Sequence, residues 1–334
     1  MQNNSISQRM NIVKSLSILS VIMAHSRNIN YGYISYLTER LGALGVISFL
    51  FIAGYYFNPW KVGVKSFFLK KITTIIIPWV FTGTIVYLVV NKFDILTWLS
   101  WLVGIGSYLY YLTILMVCYL VFSFVKDTRL VYIFLALNVL SLCFTSFGLL
   151  DAFIKNYSSY NTINNYLNFF NWAGFFALGI LCKNNFDTIL RTFDKYIMII
   201  LLSFLSLLFL GFLIEPNYGG YFSFLGLPCE VFGTILLFYC SKHRFFKKKI
   251  FHLLSDFTFT IYLIHFLVFP FRRILPQNQI FEFINPVCYL ALSVILIYSG
   301  QLVFQKIKIP GTYSILFGLR NSNAESSLPK TSVI

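Results

Sequence analysis

RMNIVKSLSILSVIMAHSR, residues 9–27, is the stretch on which the reading of this chain turns. It is apolar enough to enter a bilayer, yet it carries Lys14 and His25, and Ser15, Ser17 and Ser20 thin its apolar character. On an α-helix the step from Lys14 to His25 is about 16 Å along the axis and about 20° around it, so both project from one face. Ionisable groups in a membrane span are costly and turn toward protein or water. The stretch therefore predicts a first membrane helix with a basic group near its inner end and an imidazole deeper in.

Working outward, the whole chain is of the same kind. Of its 334 residues 58% are hydrophobic and only 11% charged, with a mean hydropathy of +0.75. A soluble domain carries about 25% charged residues. The apolar residues fall in runs of roughly 18 to 22, the length that crosses a bilayer as helix. The fold class is an all-α polytopic transmembrane bundle. The formal charge of +15 does not point to nucleic acid, because the basic residues fall in short loops at alternate ends of the apolar runs, which is a topology signal. The first run contains Lys14 and lacks an Ala-x-Ala site, so it is read as a retained helix. Cys118, Cys143, Cys182, Cys229, Cys240 and Cys288 lie in or at the ends of apolar runs without paired short spacing. They read as packing residues, with no metal site expected.

Hydropathy and length give about ten spans: 11–29, 41–57, 73–90, 107–125, 130–148, 167–182, 196–214, 220–240, 252–271 and 285–304. One set of loops holds Lys61, Lys65, Lys70, Lys71, Lys126, Arg129, Lys183, Arg191, Lys195, Lys242, Arg244, Lys247, Lys248 and Lys249, joined by Arg9 and the tail. The other holds only Arg27, Arg40, Lys92, Lys155, Arg272 and Arg273. The excess marks the cytoplasmic side, which puts both termini in the cytoplasm of a multi-pass plasma-membrane protein. Residues 62–72 read as an amphipathic interfacial helix, followed by Pro78, which should kink the third span. Residues 93–103, with Trp98 and Trp101, read as a short helix at the outer interface. The loop 149–166 is rich in Asn, Ser and Tyr, a composition that suits a solvated loop and equally a carbohydrate contact. The membrane domain is expected over 1–310, with a short polar, disordered tail over 311–334. Chemistry is therefore expected in the membrane part. No repeat of the inverted-transporter kind is visible.

Four groups are candidates for that chemistry. His25 is one: a membrane histidine is rare, and buried away from water it stays neutral, the form a general base needs. Lys14 on the same face would hold an anion, or else snorkel to the headgroups. His265, in FTFTIYLIHF, lies at a matching depth, with Tyr262 one turn and Thr258 two turns before it making a polar stripe, and Asp256 on the opposite side of the helix. Glu230 sits in mid-span, where a lone carboxylate is expensive, so it is protonated or paired. The cluster Lys61, Lys65, Lys70 and Lys71 suits either anionic headgroups or the phosphates of a cytoplasmic cofactor.

At these residues the chain resembles acyltransferase family three of integral membrane proteins. The features that carry the likeness are Lys14 and His25 as a basic residue, ten residues, then histidine; FLFIAGYYF at 49–57; FFLKKITTIIIPW at 67–79; and YLIH at 262–265. The likeness runs from about residue 9 to 304. Three positions depart from the family pattern: Asn11 stands where an acidic residue is common, Thr73 where a second basic residue is common, and Ala53 where serine is common.

The resemblance implies transfer of an acyl group, most often acetyl from acetyl-CoA, to sugar hydroxyls of surface glycans or other lipid-linked or exported molecules. It implies His25 as the catalytic histidine, with Lys14 and Lys70 assisting acyl-CoA binding and Lys71 a further candidate. Asn11, Glu230, Tyr262 and His265 are supporting candidates. The expected partners are acyl-CoA, a glycan or lipid-linked glycan acceptor, and membrane lipid. His25 would take the acceptor's proton or carry the acyl group on its ring. Either route requires the imidazole to face a cavity reachable from the basic rim. A glycan or lipid-linked-sugar exporter is the alternative, since a substrate path also needs intramembrane polar groups. A glycan polymerase is a third reading, but it would carry a large outer loop with arginines.

Overall fold

The computed structural model describes residues 2–26, 32–146, 165–214, 221–222, 225–276, 278 and 281–319, and no strand occurs among them. Most of the expected outer loop 149–166, Arg27 and Lys155, and the tail beyond residue 319 lie outside these residues.

Each expected apolar run holds a helix over at least part of its length, but the helix over the first run is not among those long and apolar enough to cross a membrane. The first two helices are α1 (Gln2–Ser26) and α2 (Tyr33–Tyr55). Short α3 (Pro59–Val62) and amphipathic α4 (Val64–Lys71) lead into α5 (Ile77–Val90). Then come α6 (Ile95–Val103), α7 (Tyr110–Phe124), α8 (Thr128–Ser146), α9 (Phe170–Cys182) and α10 (Phe186–Lys195). The chain continues through α11 (Ile197–Ile214), α12 (Gly226–Cys240), α13 (Lys249–Ile264), α14 (Phe281–Lys306) and α15 (Pro310–Phe317). Six helices are long and apolar enough to cross a membrane, and α7, α9 and α12 are shorter apolar helices. The protein is a multi-pass membrane protein.

The composition of α1 decides its place. Its serines are small, and Ser15, Ser17 and Ser20 are all buried along with Ile12, Val13, Ile18, Val21 and Ile22. Such a helix packs all round, and α1 touches α2, α12, α13 and α14. Small residues set the close approaches. A Cβ on Gly45 of α2 would strike the Ser17 carbonyl of α1, and one on Gly54 would strike the Phe176 carbonyl of α9. The opposite case is α11, where Met198, Ile199, Leu202, Leu205, Phe209, Leu213 and Ile214 are exposed, as suits a helix facing lipid.

Two expectations are corrected here, those for Arg40 and for the chain beyond 310, and the irregularity at Pro78 is given its form. Arg40, assigned from sequence to an outer loop, lies inside α2 and is 1% exposed, because the second helix begins at Tyr33 rather than at 41. Its Nε donates to the Tyr36 hydroxyl at 3.1 Å. Next, the irregularity before Pro78 is a wide π turn, Ile72–Ile76. It sits where the proline ring would crowd an ordinary preceding turn. Finally, the packed body runs beyond 310. The apolar stretch after Pro310 forms α15, which packs on α5 and α14 and buries Tyr313 against Ile297, whose carbonyl accepts its hydroxyl at 2.9 Å.

The short helix α6 forms where expected. Asp94 caps it, accepting from Thr97 N at 2.8 Å and Thr97 Oγ1 at 2.6 Å. Those bonds hold the Asp94 carboxyl below the usual carboxylate range. Trp98 Nε1 donates to Thr84 Oγ1, and Trp79 Nε1 donates to the Leu102 carbonyl, each at 3.0 Å, fixing α6 to α5. Gly104 ends α6 at φ 99°, and its Cβ would meet the Tyr110 backbone, so only glycine lets the chain turn here into α7.

Candidate active site

Lys14 and His25 open onto two different cavities. The lysine-side cavity, about 720 Å³, lies between α1, α2, α4, α7, α13 and α15. Lys14, Lys70 and Lys71 line it, together with Thr73, Thr74, Asp256 and an apolar wall that includes Phe49, Ile52 and Leu115. Lys14 Nζ lies 5.5 Å from the Tyr56 ring. Lys71 Nζ is held between Phe67 and Tyr119, at 5.0 and 4.7 Å from their ring centres. A lysine over aromatic faces gains the attraction of the rings for its ammonium while its stem is buried. Of the two adjacent lysines, Lys71 is the half-buried one and Lys70 the exposed one. Lys61 and Lys65 are exposed on α3 and α4 and are absent from the lining, so the expected basic cluster divides in two.

The histidine-side cavity, about 570 Å³, is lined by His25, Glu39, Ser107, Trp101, Tyr108, Tyr110, Tyr166, Tyr221 and Phe266, with small residues between them. It is an aromatic chamber with one carboxylate and one imidazole among its described walls. The two cavities share no lining residue. What parts them is a layer of rings: Tyr262 faces the lysine side and Tyr108 the histidine side, with centres 5.7 Å apart. Their backbones lock together, since the Tyr262 hydroxyl donates to the Tyr108 carbonyl and the Tyr108 hydroxyl donates to the Leu263 carbonyl at 2.6 Å. These two rings stand between the two linings, one facing each cavity.

The two histidines, 240 positions apart in sequence, come together at the wall, with ring centres 5.3 Å apart. His25 is in the last turn of α1 and is exposed to its cavity, not buried as its apolar run suggested. His265 is the buried one, at 0% exposure, in the 3₁₀ turn that follows α13. The polar stripe on α13 is real, but it is divided. Thr258 and Tyr262 face the lysine side, while His265 stacks beyond them among Tyr108, Phe266 and His25. Asp256 lines the lysine-side cavity, away from His265.

Two supporting candidates fall elsewhere. Asn11 is absent from both linings, and its carbonyl accepts from Ser15 Oγ at 3.1 Å. Glu230 is 1% exposed on α12, where Arg40 is the opposite charge acting on it. It is absent from both linings. It is therefore not an acid partner to His25 within the chamber. Sequence reasoning missed Glu39 and the tyrosines of the chamber. Glu39 precedes Arg40 near the start of an apolar run, and that charged pair is the one signal that could have found it.

Among the described residues no group of three or more His, Cys, Asp or Glu is placed to hold a metal ion, and the six cysteines are free. A family model described as an acyltransferase domain matches residues 7–302 of the chain. Comparison with curated proteins and with solved structures finds no match.

Proposed function

Since the chain belongs to acyltransferase family three, we propose that it is an O-acetyltransferase. It moves acetyl from acetyl-CoA, held in the lysine-side cavity, to a sugar hydroxyl of a cell-surface polysaccharide or its lipid-linked precursor, held in the histidine-side cavity. The arrangement spans the plasma membrane about ten times with both termini in the cytoplasm, so donor and acceptor enter from opposite faces. The observation that carries the reading is the pair of dissimilar cavities meeting at one thin wall beside two histidines.

The donor's chemistry matches the first cavity. Its phosphates are anionic, and Lys14, Lys70 and Lys71 supply positive charge at the rim while the apolar wall accepts the pantetheine arm. The acceptor's chemistry matches the second, where aromatic faces and one carboxylate suit the apolar faces and hydroxyls of a sugar. Rotation of Tyr262 away from the Tyr108 carbonyl admits the thioester end. In the direct route, one nitrogen of His25 takes the hydroxyl proton as the oxygen bonds to the thioester carbon. The carbon–sulfur bond then breaks, and the thiolate recovers that proton from the imidazolium. In the relay route the same nitrogen bonds the acetyl carbon first as the thiolate leaves; the alcohol oxygen then displaces the ring, and the alcohol's proton passes by way of the freed imidazole to the thiolate.

Membranes containing the chain and incubated with radiolabelled acetyl-CoA should yield alkali-labile label in glycan. His25→Ala should insert normally and yield none. Full labelling by that variant would refute both routes. The intramembrane polar groups leave a second reading, a glycan export component, in which the glycan would cross and no label would transfer.

A further inference from the structure

The lysine-side cavity carries a polar feature that the reaction above does not use. Tyr111, Leu115 and Tyr119 follow one another at every fourth position of α7 and line the cavity as one stripe. Tyr119 is at the lysine end, where Lys71 Nζ lies 4.7 Å from its ring centre. Tyr111 is at the wall end, with its ring centre 5.4 Å from that of Tyr262. Along the helix axis the two tyrosines are about 12 Å apart.

Several hydroxyls around this cavity are spent on the protein's own backbone. Thr73 and Thr74 donate to the Lys70 carbonyl at 3.0 and 2.8 Å, Thr258 donates to the Leu254 carbonyl at 2.9 Å, and Tyr262 donates to the Tyr108 carbonyl. Tyr111 and Tyr119 differ. Their rings are packed, at 8% and 7% exposure. Neither hydroxyl has a hydrogen-bond partner among the described residues, and the small surface that each ring keeps includes its hydroxyl. Ring packing alone would be served by phenylalanine, as it is at the neighbouring Phe49 and Phe57.

We propose that these two hydroxyls hold the amides of the donor's pantetheine arm. Tyr111 donates to the carbonyl of the amide nearer the sulfur, and Tyr119 to that of the amide nearer the phosphates. The proposal rests on the reading of this cavity as the acyl-CoA site. The hydrocarbon parts of the arm suit Phe49, Ile52 and Leu115, but an amide taken from water to such a wall is costly unless it is bonded. The tyrosines remove that cost, and each unpaired hydroxyl gains its partner in the same step. The order along α7 matches the order along the donor. Lys71 beside Tyr119 meets the phosphate end, and Tyr262 beside Tyr111 meets the thioester end. Held at both amides, the arm is in register, with its thioester at the Tyr108–Tyr262 wall.

The test uses the full chain in membranes with two donors, acetyl-CoA and S-ethyl thioacetate, and follows cleavage as released thiol. S-ethyl thioacetate presents the reacting group without an amide. Tyr111→Phe and Tyr119→Phe each remove one oxygen and keep the ring, including the face that Lys71 meets at Tyr119. Each should lower kcat/KM for acetyl-CoA relative to S-ethyl thioacetate about fivefold, the worth of one neutral hydrogen bond, chiefly through KM. The double variant should lower that ratio about 25-fold, since the two positions lie two turns apart. A parental ratio in either single variant would overturn the proposal, whether the rates hold or fall alike with both donors; a common fall would mark a packing role. Failure of the underlying reading looks different. Acetyl-CoA would release no more thiol than in membranes lacking the chain, or His25→Ala would cleave it at the parental rate, and this proposal would go with that reading.

Discussion

The lysine-side and histidine-side cavities are of similar size and lie back to back, yet their walls have almost nothing in common. One is rimmed by three lysines over an apolar shaft. The other is a chamber of tyrosine, tryptophan and phenylalanine with a single carboxylate and a histidine among its described walls. Three lysines beside an apolar wall suit an anion carrying a long apolar arm. The second offers flat faces and hydrogen bonds to a neutral, hydroxyl-rich guest. A pore for one substrate would show similar chemistry along its length. Two unlike chambers with a reactive group at the partition instead suit two substrates that meet once.

The sharpest way to break this comparison is at the partition. His25→Ala should lower acetyl transfer by about a thousandfold or more, within the range that general acid–base groups supply. Acetyl-CoA binding should stay intact, because His25 lines only the other chamber. A binding loss as large as the rate loss would mean that the chambers are one site. Next in size is the scaffold that both chambers share. Gly54→Val would push a side chain into the Phe176 carbonyl and part α2 from α9. Overpacking of this kind costs about 3 kcal/mol, and the detergent-solubilised protein should melt at a lower temperature, with donor and acceptor binding weakened together.

The donor side is tested by Lys71→Ala. Removing one charge-assisted contact to a phosphate is worth about 1.5–3 kcal/mol, so the KM for acetyl-CoA should rise roughly tenfold to a hundredfold. The acceptor KM should not follow. Lys70→Ala should have the smaller effect of the two, since Lys70 is exposed while Lys71 is held between the Phe67 and Tyr119 rings. Steady-state kinetics on membranes carrying each variant decides the order.

That expected order differs from the one the family resemblance implied, and the difference shows where a sequence stops being legible. Spacing on one helix is a local quantity. The Lys14–His25 interval, the stripe Thr258–Tyr262–His265 and the positions of the helices could all be read from periodicity, because a helix fixes where its own residues point. Which of two neighbouring lysines turns inward depends on Tyr119 of α7, a ring from elsewhere in the chain. For the same reason the chamber went unseen. Trp101, Tyr108, Tyr110 and Tyr221 each look like ordinary interfacial or core aromatics alone, and only the packing of α6 and α7 beside the start of α12 gathers them. The burial of Arg40 was hidden by a helix that begins eight residues before its apolar run, and its Nε meets the Tyr36 hydroxyl one turn earlier on that helix. Of the two histidines, the sequence marked the exposed one as buried. Hydropathy averages over a run and cannot see that the run's last turn opens onto a cavity.

The smallest expected effect is the one most particular to the second chamber. Glu39 is the one carboxylate in its described lining, and Glu39→Gln keeps the shape and the hydrogen-bonding atoms while removing the charge. A hydroxyl bonded to a charged group is worth about 1 kcal/mol more than one bonded to a neutral amide, so the acceptor KM should rise about fivefold. The KM for acetyl-CoA should not move, because the Tyr108–Tyr262 wall stands between Glu39 and the donor. The comparison between the chambers predicts that this asymmetry mirrors the one at Lys71, with each variant affecting one substrate and sparing the other. If Glu39→Gln raised both constants alike, the wall would have to transmit charge or open freely in the resting state. The two chambers would then be a single continuous site with a lysine end and an aromatic end.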